Sequence, residues 1–231
     1  MYEQMKKNNV DSSNQLAKSK FVRIYNPDGK GMRVMFVGNS MTLHGVKEDI
    51  GWMKECGMAA SEREKDYVHL LMKEISQKDN DAVYCICQVA QWEINYKNGL
   101  SVYDLYADAK AFQADVIIMR FIENCPMDEF DIEIFKKEYN TFADYLSNSG
   151  NAKLIFTNGF WKHPGDVAIC EVAAERNSPF INLGDLGECD DMKAIGLFWH
   201  EGVANHPGDK GMKAIAERIM RELNNYVLLT I

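Results

Sequence analysis

Val34-Met-Phe-Val-Gly-Asn-Ser40 is an apolar run that stops at a small polar turn. The segment before it, Asn26-Pro-Asp-Gly-Lys-Gly31, is built from turn-forming residues, so a buried strand is predicted from Met32 to Val37. That strand delivers one serine to a loop. A shorter apolar run at residues 21–25 precedes the turn, and the pair reads as a short N-terminal hairpin. Four more runs, at residues 83–89, 116–119, 153–157 and 179–183, have strand length. Each is continuously apolar, as strands covered on both faces should be.

Helical patterns alternate with these strands. Ile132, Phe135, Tyr139, Phe142 and Leu146 recur at intervals of three and four and so share one face, with an end expected near Asn148-Ser-Gly150. Residues 65–75 and 167–176 give two further helices. A last one opens at Pro207-Gly-Asp209 and turns Met212, Ile215, Ile219 and Leu223 inward. Alternation of this kind predicts a three-layer α/β/α sandwich around a mainly parallel, five-stranded sheet. Ligands of such sheets collect beyond the carboxyl ends of the strands. Ser40 follows the first buried strand, Gln91 and Trp92 the second and Asn124 the third, so the three regions are expected to meet there.

The chain reads as a polar extension, residues 1–20, with no recognisable chemistry, followed by a single domain over residues 21–231. A formal net charge of −8 argues against a nucleic-acid or anionic-membrane surface. The expected partner is a small ester; the oligomeric state stays open. No stretch approaches the ~18 apolar residues of a membrane span, and the first residues lack the apolar core of a signal peptide. Cytoplasm is the default expectation. The six cysteines form no CxxC pair and are expected to be reduced, buried thiols. No His, Cys or carboxylate set has a metal-ligand frame, so neither metal nor cofactor is expected.

A serine is a poor nucleophile unless a base and an anion-stabilising pocket meet it. His206 and Asn124 are the downstream candidates. Plainer readings stand beside these: Ser40 as a helix cap, Asn124 closing a turn before Pro126, and His206 as packing at a loop-to-helix junction.

With those residues in place, the chain resembles the SGNH (GDSL-like) hydrolases of esters and acetylated sugars. Gly38-Asn39-Ser40 matches the first conserved block, with Asn in place of Asp, and the resemblance implies that Ser40 is the nucleophile. Ile122-Glu123-Asn124-Cys125 matches the third block through Asn124, without its glycine. His206-Pro207-Gly208-Asp209-Lys210-Gly211-Met212 matches the last block, but Val203 stands where the family places its aspartate. The second block has no glycine; Val89-Ala90-Gln91-Trp92-Glu93 occupies its place.

The resemblance implies a flavodoxin-like fold and a serine esterase. Ser40 would attack the acyl carbonyl while His206 takes its proton. Ser40 N–H, an amide of Ala90 or Gln91 and the Asn124 side chain would form the oxyanion hole. Glu201 is the candidate third member; a main-chain carbonyl or water is the alternative, and Asp209 a weaker one. Asn39, His44, Trp92 and Glu93 are expected to line the substrate site, with Glu123, His163, His200, Trp161 and Trp199 as further loop residues. An acetylated carbohydrate is the favoured substrate. A thioesterase or lysophospholipase is the near alternative, and a non-catalytic carbohydrate-binding protein the distant one.

Overall fold

The computed structural model describes residues 15–148 and 150–226. Six strands form one sheet: β1 (Val22–Tyr25), β2 (Arg33–Gly38), β3 (Val83–Gln88), β4 (Val116–Arg120), β5 (Lys153–Thr157) and β6 (Phe180–Ile181). Their order is β1-β3-β2-β4-β5-β6. The last five pair in parallel, in the order expected of a flavodoxin-like sheet. The hairpin expectation is corrected here. β1 pairs antiparallel with β3, Val22 opposite Cys87 and Tyr25 opposite Tyr84, and does not pair with β2. The tight turn at residues 26–31 instead carries the chain past the β3 edge, where Gly31 N–H donates to Asp81 O at 2.9 Å.

Alternate residues of each buried strand feed two cores. Met35, Val37, Cys85, Cys87, Ile117 and Met119 face one core, while Val34, Phe36, Tyr84, Ile86, Val116 and Ile118 face the other. Helices cover both. On the second face lie α1 (Tyr67–Ser76) and, at the chain's far end, α7 (Asp209–Tyr226), which brings Met212, Ile215, Ile219 and Leu223 inward as the spacing predicts. The first face is covered by α2 (Ala90–Asn95), α3 (Ala107–Ala111), α4 (Ile132–Leu146) and α5 (Asp166–Glu175). One further short helix, α6 (Glu201–Ala204), precedes His206. Asp66 and Asp131 cap α1 and α4, the first side chain accepting from His69 N–H and the second from Glu133 and Ile134 N–H.

A third, smaller core decides where His206 goes. Ile50, Trp52, Cys56, Met58 and Ala59 from the segment after Ser40 pack against Ala194 and Val203. Burying these side chains welds the segment after Ser40 to the loop that leads to His206, at roughly 1.5–3 kcal/mol per fully buried large side chain.

Residues 15–20 dock on the domain, and the rest of the polar extension lies outside the described residues. Cys56, Cys85, Cys87 and Cys125 are buried free thiols, whereas Cys170 and Cys189 are exposed, against expectation. Both exposed thiols belong to surface elements, α5 and the loop before residue 190. Among the described residues no helix is long and apolar enough to cross a membrane.

Candidate active site

The turn after β2 is set by Gly38. A Cβ there would stand 1.8 Å from Thr42 Oγ1 and 2.9 Å from Arg120 O, so only glycine lets the chain fold back so tightly. Asn39 O then accepts from both Thr42 N–H and Leu43 N–H at 2.9 Å. Ser40 does not cap a helix, since no helix follows. Its carbonyl takes Met58 N–H at 2.9 Å, which holds the 56–59 segment beside it.

Ser40 Oγ lies 2.9 Å from His206 Nε2. The other ring nitrogen, Nδ1, lies 2.6 Å from the carbonyl oxygen of Gly202. A carbonyl can only accept, so Nδ1 carries the hydrogen and Nε2 presents its lone pair to the serine hydroxyl. Both residues are nearly buried. Burial pushes the His206 pKa down to about 3, against the smaller raising effect of the Gly202 carbonyl. The imidazole is therefore neutral and able to accept a proton. Trp161 meets it edge-on, ring centres 5.0 Å apart.

Glu201 is not the partner of Nδ1. It opens α6 with an exposed side chain, and the one Nδ1 hydrogen is taken by the carbonyl one residue later. Asp209 is also elsewhere, with its carboxylate on Ser61 and Lys65.

The first-strand asparagine belongs to a buried polar network. Asn39 Nδ2 donates to Glu93 Oε1 at 3.0 Å and to Glu123 Oε2 at 2.6 Å, while its Oδ1 accepts from Arg120 at 2.7 Å. Arg120 also pairs with Glu123, at 2.9 Å. Asn124 Nδ2 donates to Glu93 Oε2 at 2.6 Å, and Asn124 N–H to Oε1 at 3.3 Å. Burial and the neighbouring Glu123 push Glu93 up to about 7. Glu123 is also raised by burial, but Arg120 and the donors around it outweigh that and hold it low. One arginine thus supports one full carboxylate charge, on Glu123, while Glu93, held by the Asn39 and Asn124 donors alone, ionises less readily.

Several expected site residues are structural instead. Trp92 is fully buried, because 90–95 is a helix that turns its ring into the core; it stacks on Phe142 at 5.1 Å and meets Phe121 edge-on at 5.4 Å. Glu93, one residue on, holds the network from within and offers no surface to a substrate. Ala90 N–H is turned to Gln88 Oε1, at 3.1 Å, and so is withdrawn from the oxyanion role expected of it. Gln91 lies in the same first turn of α2, its carbonyl accepting from Asn95. His163 is buried against Cys125 O and Gly165 N–H. His44 is buried too, its Nδ1 on Gly45 O at 2.6 Å and its Nε2 without a protein partner. Trp199 is exposed beside Gly51.

Gln15, Gln88 and Arg120 were missed as site residues. A glutamine or arginine closing an otherwise apolar strand, as Gln88 and Arg120 do, is the one signal that marked two of them. Among the described residues no group of three or more His, Cys, Asp or Glu side chains could hold a metal ion.

Neither a protein-family model nor a curated protein sequence matches the chain. Solved structures do. The psychrotrophic esterase EstA from Pseudoalteromonas sp., in a structure inhibited by monoethylphosphonate, is similar with a TM-score of 0.57 at 11% identity, over 85% of this chain and 99% of that one. The lipase/acylhydrolase from Enterococcus faecalis gives a TM-score of 0.55 at 14% identity, over 84% and 96%. A two-domain esterase active on acetylated mannans, co-crystallized with mannopentaose, gives 0.57 at 16% identity; there the match spans 87% of this chain and 51% of that one. The strand order accords with these likenesses: the chain has the fold of the SGNH (GDSL-like) hydrolases.

Proposed function

We propose that this protein is a serine hydrolase of small acyl esters, with Ser40 as nucleophile and His206 as base. The observation that carries the reading is the 2.9 Å contact between Ser40 Oγ and a His206 ring whose tautomer is fixed from behind by Gly202 O. His206 Nε2 takes the hydroxyl proton as Oγ bonds to the acyl carbon, and returns it to the leaving alcohol when the tetrahedral intermediate collapses. Water repeats the sequence on the acyl-serine and releases the acid. Ser40 N–H and the Asn124 side chain are the oxyanion donors.

An acetylated carbohydrate is the favoured substrate, and the likeness to an esterase active on acetylated mannans supports it. The nearly buried Ser40 suits a small acyl group. Ser40→Ala should abolish hydrolysis of a chromogenic acetate ester while the protein stays folded, and a phosphonate probe should label the parent protein at Ser40. Undiminished turnover in the alanine variant would remove Ser40 from the reaction.

A second reading has an observation of its own. Ala90 N–H is diverted to Gln88 and no carboxylate backs His206, so the catalytic set is reduced, as in a binding protein on a hydrolase scaffold. Absence of labelling together with measurable binding of an acetylated oligosaccharide would favour it.

A further inference from the structure

Gln15 belongs to the polar extension, yet the residue is only 3% exposed and lies between the end of β3 and the loop that follows β4, the two neighbours of β2. Its Oε1 accepts from Gln88 Nε2 at 2.7 Å, and its Nε2 donates to Asn124 Oδ1 at 3.2 Å. The backbone is anchored as well, with Gly45 N–H donating to Gln15 O at 2.8 Å. Glycine permits that approach, since a Cβ at Gly45 would stand 3.2 Å from the same oxygen.

The polarity of this bridge is forced from both ends. Ala90 N–H can only donate, so it fixes Gln88 with Oε1 toward itself and Nε2 toward Gln15. At the far end, the Glu93 carboxyl accepts from Asn124 Nδ2, which leaves Asn124 Oδ1 facing Gln15. Three side-chain amides therefore run head to tail from a backbone donor to a carboxyl group. Amides aligned in a buried site polarise one another. The arrangement spends one Nδ2 hydrogen of Asn124 on Glu93 and keeps the second for another acceptor.

We infer that Gln15 is a positioning residue for ester hydrolysis: it clamps the Asn124 carboxamide so that the second Nδ2 hydrogen meets the developing oxyanion. The inference rests on the hydrolase reading above. It gives the N-terminal segment a part in the site, and it offsets the Ala90 amide that the same chain of amides withdraws.

The test compares the full-length protein with Gln15→Met and Gln15→Glu. Methionine keeps the length and loses both hydrogen bonds; glutamate accepts from Gln88 but sets an oxygen against Asn124 Oδ1. Loss of a whole oxyanion donor costs about 10²–10³ in rate, so freeing its clamp should lower kcat on a chromogenic acetate about tenfold or more. KM should stay within about twofold, because the donor acts on charge that develops in the transition state. The side-chain amide resonances of Asn124 should move in both variants, while a phosphonate probe still labels Ser40. Unchanged kcat in folded variants would overturn the inference, as would Asn124 resonances that do not move. A parent protein that neither turns over acetate nor takes the probe would instead sink the hydrolase reading, and the Asn124 resonances would still report whether Gln15 holds that amide.

Discussion

His206 Nδ1 and the carbonyl oxygen of Gly202 are 2.6 Å apart, four residues separated in the chain and joined across the end of α6. The short helix turns its carbonyl toward the imidazole that follows it, and the peptide does what a carboxylate does in a triad: it fixes the tautomer. A neutral carbonyl stabilises an imidazolium less than a charged partner would, so in the proposed hydrolysis His206 is a well-oriented but weakly supported base. Glu201→Gln should therefore change kcat/KM by no more than about threefold, where loss of a true triad acid costs about 10⁴. Steady-state rates on an acetate ester decide between the two.

Acidification should destabilise the fold. Burial pushes His206 down to about 3, and His44 and His163 each down to about 4, from an ordinary value of 6.5. Below pH 6.5 the unfolded chain takes up three protons that the folded chain refuses. Two buried carboxyls work the other way: Glu93, raised to about 7, and Asp166, raised by burial to about 6, hold protons in the folded state that the unfolded chain has released. The net difference between pH 4.5 and 6 is about one proton in favour of the unfolded chain, so stability should rise with pH there by ~1.4 kcal/mol per unit. Thermal melts across that range measure it, and a midpoint that stays level or falls with rising pH would contradict the assignment.

Glu93→Ala should lower both stability and turnover. The substitution leaves Asn124 N–H and the side-chain amide of Asn124 without their acceptor and takes one of two acceptors from Asn39. Buried donors left unpaired cost about 1–3 kcal/mol each. A carboxylate that merely touched substrate would raise KM and leave the melting temperature alone. Denaturant unfolding alongside kcat and KM separates these outcomes.

Trp92→Ala should behave as a core cavity, costing about 3–5 kcal/mol. Its ring is enclosed by Phe121, Phe135, Tyr139 and Phe142. The milder Trp92→Phe should keep KM for any ester near the parent value. A raised KM in a stable Trp92→Phe protein would put the ring at the substrate after all.

Local pattern was enough to read the parallel strands, the face of α4 and the inward stripe of α7, because burial on a sheet or helix imposes a period that neighbouring residues record. The same logic predicts that Ser40, Gln91, Trp92 and Asn124 gather at one sheet edge. It failed at residues 90–95, where a helix too short to show a period turned Trp92 and Glu93 inward. It failed too for the hairpin, since turn residues state that the chain reverses but not which strand receives it.

Residues close together in the chain are enough to show the alternation of strands and helices, the small polar Gly38-Asn39-Ser40 turn after a buried strand, and the histidine before the last helix. Packing across the chain set the rest: Gly202 O backs His206, Asn39 joins Glu93 to the Arg120–Glu123 ion pair, and Gln15 reaches Asn124 from 109 residues away. Those are pairings between polar groups, and buried polar groups choose partners by what the packed core leaves within hydrogen-bonding distance, which no local period encodes.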